Sequence, residues 1–291
     1  MLKLTNPFIL SLILIAFSGL KTVEVKAETV LEEIQRTGIL KVGIRNDAIP
    51  FGYRKPNGQL TGYCVDFIAA LKQDISEVTN QEGLLVRIFQ STASDRFRLV
   101  EDETIHIECG PNTIRKNIGN SAVRFSEPFF VTGTQFLILE SNRNRVDLDS
   151  SLQGIRIAVL RGTRTEKLVQ NRYPQASIIK LQGSTGRLRG VQGVLQGRFN
   201  TFISDGILLL GQAELLDVRN TNYALIPEVP LSCDRYGMIL PDDSQWKSIV
   251  NSTIYSEQGH KIWKSWFEVI LSKVEKTMET CQPDSTFQFL E

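Results

Sequence analysis

Residues 106–139, HIECGPNTIRKNIGNSAVRFSEPFFVTGTQFLIL, begin and end as apolar, strand-like runs and carry oxygen-bearing and cationic side chains between them. The first run, residues 105–109, brings Glu108 and then Gly110 to the end of a buried strand. Asn112, Thr113 and Arg115 follow without a hydrophobic break. Polar groups at the carboxyl end of a buried strand are where α/β sheets bind ligands. The turn Phe125-Ser126-Glu127-Pro128-Phe129-Phe130 then leads into the second apolar run, residues 134–139. A strand that leaves one sheet for another in this way suits a hinge.

Working outward from that stretch, Lys3 precedes an apolar run over residues 8–20, and Val25-Lys26-Ala27 fits a small-x-small cleavage site. This is the pattern of a secretory signal peptide over residues 1–27, cleaved near Ala27. Lys21 ends the run short of the roughly 20 apolar residues a membrane-spanning helix needs, and no cysteine follows it to take a lipid. Cleavage removes Lys3, Lys21, Lys26 and Glu24, so the formal charge passes from +1 to −1. A near-neutral secreted chain argues against nucleic-acid binding.

Four cysteines, Cys64, Cys109, Cys233 and Cys281, meet an oxidising compartment and allow three pairings. Cys233 with Cys281 is the expected pair, because both lie late in the chain and a bridge would pin its loop-rich tail; buried unpaired thiols are the alternative. No CxxC or Cys/His spacing suggests a metal, and no cofactor is expected.

From Thr29 onward the pattern alternates. A short amphipathic helix stopping at Gly38 precedes a strand over 39–44; a helix over 63–78 and a strand over 84–89 follow, then a helix over 94–101 and the strand 105–109. The alternation repeats as strand 155–160, helix 163–170, strand 178–181, helix 188–196, strand 199–204 and helix 207–215. Strands separated by helices imply parallel sheets with right-handed crossovers. Residues 223–230 read as a proline-containing connection, 236–240 as a further strand, and 244–256 and 259–272 as helices. The expected fold is α/β with two lobes, each a sheet flanked by helices. The strands 134–139 and 236–240 cross between them, so lobe 1 comprises 28–133 and 241–291 and lobe 2 comprises 134–240. A ligand would bind in the cleft between the lobes.

Six segments in this order, GIRNDAIPFGYRKPNGQLTGYCVDFIAAL (43–71), ECGPNT with FSEPFF, GIRIAVLRGTRTE (154–166), FNTFISDG (199–206), YGMILP and GHKIWKSWF, resemble the extracytoplasmic amino-acid-binding proteins of ABC importers, solute-binding protein family 3. The pairing of DRFRLVEDETIHIECG with VTGTQFL is most similar to the glutamate/aspartate-binding branch. The resemblance implies the type II periplasmic-binding-protein fold, a periplasmic location, a monomer, and an amino acid and an inner-membrane ABC permease as partners. It implies a binder rather than an enzyme.

The residues themselves answer the chemistry of such a ligand. Arginine suits a carboxylate because its planar fork gives two parallel hydrogen bonds and stays charged when desolvated. Arg45, Arg96 and Arg115 each stand near a strand end. The resemblance implies Arg45 and Arg96 for a side-chain carboxylate, and Arg115, with Arg124 as the alternative, for the α-carboxylate. Thr113 matches a hydroxyl ligand beside Gly110. Arg161-Gly162-Thr163-Arg164-Thr165 joins a strand to a helix, where backbone N–H groups and the hydroxyls of Thr163 and Thr165 can meet an anion; Thr163 can equally cap the helix. Asp205 is implied as the ammonium acceptor, or else caps the following helix. Phe51 or Tyr53 would wall the cleft, and Arg164 and Arg187 are further candidates. Glu108 reads as a buried carboxylate paired inside the protein, and Tyr236 and Trp263 as core.

Arg45, Arg96 and Arg115 against Asp205 and Glu108 leave one net positive charge in the cleft. That balance favours glutamate or aspartate, admits glutamine or asparagine, and disfavours cationic amino acids. Closure of the lobes on the ligand is the expected mechanism. The alternative is a periplasmic, dehydratase-like enzyme on the same fold. Against it, no nucleophile–base pair is visible, and the two histidines, His106 and His260, read as structural.

Overall fold

The computed structural model describes residues 28–115, 122–216 and 222–281. The expected signal peptide, residues 1–27, lies outside the described residues. Helix α1 (Val30–Thr37) opens on a capping box in which Thr29 and Glu32 satisfy each other's backbone N–H groups. Strand β1 (Ile39–Arg45) follows. A small antiparallel sheet of β2 (Asp47–Ala48), β3 (Gly52–Arg54) and β4 (Leu60–Thr61) comes next, then α2 (Tyr63–Thr79), β5 (Leu85–Ser91), α3 (Arg96–Glu101), β6 (Ile107–Cys109) and β7 (Val123–Phe125).

The long β8 (Phe130–Leu139) leads to β9 (Arg156–Leu160), α4 (Arg164–Arg172), β10 (Ser177–Leu181), α5 (Gly186–Leu195), β11 (Thr201–Asp205) and α6 (Gly206–Leu215). Then come β12 (Tyr223–Ile226), β13 (Cys233–Tyr236), β14 (Ile239–Pro241), α7 (Ser244–Tyr255) and α8 (Glu257–Cys281). Among the described residues, no helix is long and apolar enough to cross a membrane.

Two larger sheets result, one per lobe. The first has the order β5-β1-β6-β14-β7 and the second β10-β9-β11-β8-β12. Strand β1 runs parallel to β5 and β6, with Ile39 opposite Leu85 and Val42 opposite Ile107; β9 runs parallel to β10 and β11. Parallel neighbours need long crossovers, which α2, α3, α4 and α5 supply. Strand β8 serves both lobes. Its first half pairs with β13, Phe130 opposite Tyr236 and Gly133 opposite Cys233, while its second half pairs with β11 and β12.

Several elements differ from the sequence expectation, the unexpected small sheet β2–β4 among them. Strand β8 begins at Phe130 rather than 134, because it is paired and buried almost throughout. The run expected as one strand over 236–240 is broken into β13 and β14 at Gly237 and Met238. The expected connection over 223–230 contains β12, an edge strand that prolines can follow because its outer side needs no ladder partner. The turn after residue 121 holds β7, another edge strand.

The first-lobe core joins Val42 and Ile44 of β1, Phe67 and Leu71 of α2, and Trp246 of α7 to an aromatic cluster of Phe51, Tyr63, Phe129, Phe130, Tyr236 and Phe267. Tyr63 and Phe129 stack with ring centroids 5.1 Å apart. Ile207 and Leu208 of α6 enter the same cluster, so apolar packing binds the second lobe's helix to the first. In the second sheet, Phe136, Ile138 and Ile203 pack on one face and Leu137 and Phe202 on the other, the period-2 alternation of strands buried on both sides. Disulfides join Cys64 to Cys109 and Cys233 to Cys281. The first anchors the end of β6 to α2, and the second ties the crossing strand β13 to α8.

Candidate functional site

A cavity of about 780 Å³ lies between the lobes. Ala93, Ser94, Phe97, Ile114 and Arg115 line it from the first lobe. Arg161, Gly162, Thr163, Arg164, Glu166 and Lys167, at the turn from β9 into α4, line it from the second. The two sides touch at Gly162, whose φ of +78° is a left-handed conformation, and where a Cβ would stand 3.2 Å from Ser94 Oγ. A smaller void of about 50 Å³ adjoins, against Arg45, Asp47, Ser91, Thr92 and Ser184.

The arginines of the first lobe have different commitments. Arg45, 2 % exposed at the end of β1, donates from Nε and Nη2 to the two carboxylate oxygens of Asp47, each at 2.8 Å. Burial opposes its charge, and the Asp47 carboxylate more than restores it, holding the Arg45 pKa above its ordinary value. Arg187 donates from Nε to the Asp47 backbone carbonyl at 3.0 Å and from Nη1 to Ser204 Oγ at 2.7 Å, joining α5 to the first lobe.

Arg96 differs. It is buried and donates from Nη1 to the Ala93 carbonyl at 2.6 Å, but its Nε has no hydrogen-bond partner among the described residues. Burial, with the charge of Arg45, pushes its pKa down to about 10. Arg115 Nε is likewise without a partner among the described residues. The Arg96 and Arg115 guanidinium carbons lie 5.2 and 4.9 Å from the Phe97 ring centroid, so both cations rest on one aromatic ring.

Glu108 is fully buried and accepts from Ser91 Oγ at 2.7 Å and from Asn112 Nδ2. Burial raises its pKa, opposed by the charges of Arg96 and Arg45. It is the internally paired carboxylate that a strand-end acid among arginines predicts. Gly110 lies close beside it: a Cβ there would stand 3.0 Å from Glu108 Oε1 and 3.1 Å from Arg45 Cγ, so a side chain would press on both.

In the second lobe, Thr163 caps α4: its Oγ1 accepts from the Glu166 N–H at 3.2 Å and donates to the Leu160 carbonyl at 2.7 Å. Glu166 takes the Gly162 N–H at 2.8 Å and pairs with Lys180. The backbone donors expected to meet an anion at this turn are therefore partly committed to an acid of the chain itself. Thr165 is buried in α4. Arg164 reaches Asp234 of β13 at 2.7 Å while still lining the cavity.

Asp205 ends β11 at the start of α6, yet its side chain makes no capping bond. Instead it accepts from the hydroxyl of Tyr236 on the crossing strand. Burial and the nearby Asp234 carboxylate push the Asp205 pKa up to about 6. Tyr236 is core, as expected, but with a polar end turned to this carboxylate.

Of the residues singled out in the sequence, Arg115, Thr163 and Arg164 line the main cavity and Arg45 the void beside it. Thr113 forms an isolated bridge with Tyr236. Arg124 lies on β7 and pairs with Asp242 at 2.9 Å, away from the cavity lining. Phe51 does not wall the cleft: its ring is fully buried against Phe129, Phe130, Tyr236 and Phe267, because the chain turns inward at the small sheet. Tyr53 meets Trp266 edge-on. Asp47, Glu166 and Phe97 were not anticipated. Asp47 carried a readable signal, since residues two apart on extended backbone share a face. Among the described residues, no cluster of three or more His, Cys, Asp or Glu could hold a metal ion.

Comparison with known proteins agrees with this architecture. A glutamate/aspartate import solute-binding protein of Escherichia coli is 26% identical over 247 residues, covering 83% of this chain and 79% of its own. An L-glutamate/L-aspartate-binding protein of Pseudomonas aeruginosa is 27% identical, with 81% and 79% covered. Among solved structures, an ancestral amino-acid-binding protein described as a precursor of cyclohexadienyl dehydratase superposes with a TM-score of 0.69 at 22% identity, over 82% of this chain and all of that one. The fold is thus the two-lobed, type II arrangement. The model of the bacterial extracellular solute-binding proteins, family 3, matches residues 40–283, and the chain belongs to that family.

Proposed function

We propose that this chain is the extracytoplasmic solute-binding component of an ABC amino-acid importer. It acts in the periplasm as a monomer and delivers an amino acid with a carboxylate or amide side chain to an inner-membrane permease. One observation carries the reading: Arg115, Arg161, Arg164 and Lys167 line the interlobe cavity against one carboxylate, Glu166. Such a surface favours a carboxylate-bearing ligand and disfavours a cationic one. The glutamate- and aspartate-binding relatives support the same class.

In this reading Arg115 takes the α-carboxylate, the unpartnered Arg96 Nε supplies a further donor, and Asp205 accepts the ammonium group. Residues 28–133 with 241–291 move against 134–240 about β8 and β13, and binding shifts the population toward the closed form. Isothermal calorimetry on refolded, ligand-free protein tests it. Binding of glutamate, aspartate, glutamine or asparagine is expected; binding of arginine with none of these four would refute it.

The second reading, an enzyme acting on an anionic substrate, draws support from the dehydratase lineage of the solved neighbour. Against it, neither histidine lines the cavity. His106 lies between Glu33 and the Lys41 N–H, and His260 Nδ1 bonds the Ser256 carbonyl. A turnover assay with prephenate-like acids separates the two.

A further inference from the structure

The pairing of Arg45 bears on which side chain the site accepts, given the amino-acid-binding reading on which this step rests. One edge of a guanidinium receives one carboxylate in bidentate geometry, and the Nε–Nη2 edge of Arg45 is already closed by both oxygens of Asp47, which leaves its Nη1 donors. The next cation, Arg187, is turned to the Asp47 carbonyl and to Ser204. Asp47 is 8 % exposed and keeps its charge: burial works against ionisation, while Arg45 and Arg187 outweigh it and hold the pKa low.

We propose that Asp47 is a specificity-determining residue, a built-in counter-ion that takes the place beside Arg45 an acidic side chain would otherwise fill, so that the site selects an amide side chain over a carboxylate. The chemistry of the adjoining void favours this assignment. Asp47, Arg45 and the hydroxyl-bearing Thr92, Ser94 and Ser184 are among the residues that line it. An amide offers an N–H₂ donor to Asp47 and an oxygen acceptor to the cation or a hydroxyl, whereas a carboxylate offers acceptors alone and faces Asp47 as a like charge.

The experiment is calorimetry with glutamine, asparagine, glutamate and aspartate on folded, ligand-free wild-type protein and on Asp47→Ala and Asp47→Asn. Wild type is expected to bind the better amide ligand more than about a hundredfold tighter than its acid, the ratio expected when a like-charge contact is desolvated. In either variant the ratio should fall at least about tenfold as Arg45 is released to the ligand. If Asp47→Ala does not fold, wild type and Asp47→Asn decide the matter. Wild-type protein that binds glutamate or aspartate as tightly as the amides, or a folded variant that keeps the wild-type ratio, overturns the role of Asp47 alone. Binding of none of the four by folded wild type overturns it together with the proposed function.

Discussion

The Tyr236 hydroxyl donates to the Asp205 carboxylate, joining β13 to the end of β11. A residue on the strand proposed as a hinge thus touches the carboxylate proposed to hold the ligand's ammonium group. Asp205 titrates near pH 6 because burial and the neighbouring Asp234 both disfavour its charge.

Ligand affinity is therefore expected to fall about tenfold per pH unit below about 6, as Asp205 takes up the proton that an ammonium ligand must displace. Calorimetry near pH 5.5 in buffers of different ionisation enthalpy should show proton release on binding; none would exclude Asp205 as the acceptor.

The same shift has the opposite sign for stability. The folded pKa lies above the ordinary value of 3.8, so the native state holds this proton more tightly than the unfolded chain. The stabilising contribution of this carboxyl is full below about pH 4 and is lost as pH rises through about 6. Asp205→Asn should abolish binding at pH 8 while leaving the thermal transition of the ligand-free protein unchanged or raised.

Arg45 and Arg96, both buried arginines of one sheet edge, should respond differently to removal. Arg45→Met leaves the Asp47 carboxylate buried without its partner and is expected to cost about 3–5 kcal/mol. Arg96→Met breaks no direct ion pair, although it removes a charge that favours ionised Glu108, and should cost less in urea unfolding, while weakening binding by about tenfold to a hundredfold through loss of a charged donor. Equal losses of stability would contradict this division.

The disulfides span 45 and 48 residues of sequence. Loop-closure entropy predicts about 4 kcal/mol of stabilisation from each, at the upper end of the usual range. Cys64→Ser with Cys109→Ser should lower the urea midpoint accordingly, and because it loosens the end of β6 below Gly110, it should also weaken ligand binding.

Gly162→Ala forces a side chain into a left-handed conformation at a cost of about 1–2 kcal/mol and places a methyl group against Ser94 where the lobes meet. Scattering in saturating ligand should give the variant a larger radius of gyration than wild type.

Local pattern carried much of this molecule. The helix ending at Gly38, the strands beginning near residues 39, 84 and 155 and the second βα series are all legible in the chain, because periodicity and stop residues act over one or two turns of backbone. Arg115 and Thr163 were legible as strand-end or helix-start polar groups, and both line the cavity.

The tertiary structure alone decided what each buried charge faces. Arg187 meets the backbone of Asp47 from 140 residues away, Tyr236 meets Asp205 across 31, and Phe51 is drawn into a cluster completed by Phe129 and Phe267. Even Arg45 and Asp47, only two positions apart, form a buried bidentate pair because the sheet edge and α5 close over them. The sequence by itself determined most of the helices and the central parallel strands, since those follow from local propensity and patterning, while the short edge strands and the small sheet did not show in it. Folding decided which arginine is paired with a carboxylate of the protein and which keeps an unpartnered Nε among the described residues, because desolvation and pairing depend on distances set between segments remote in the chain.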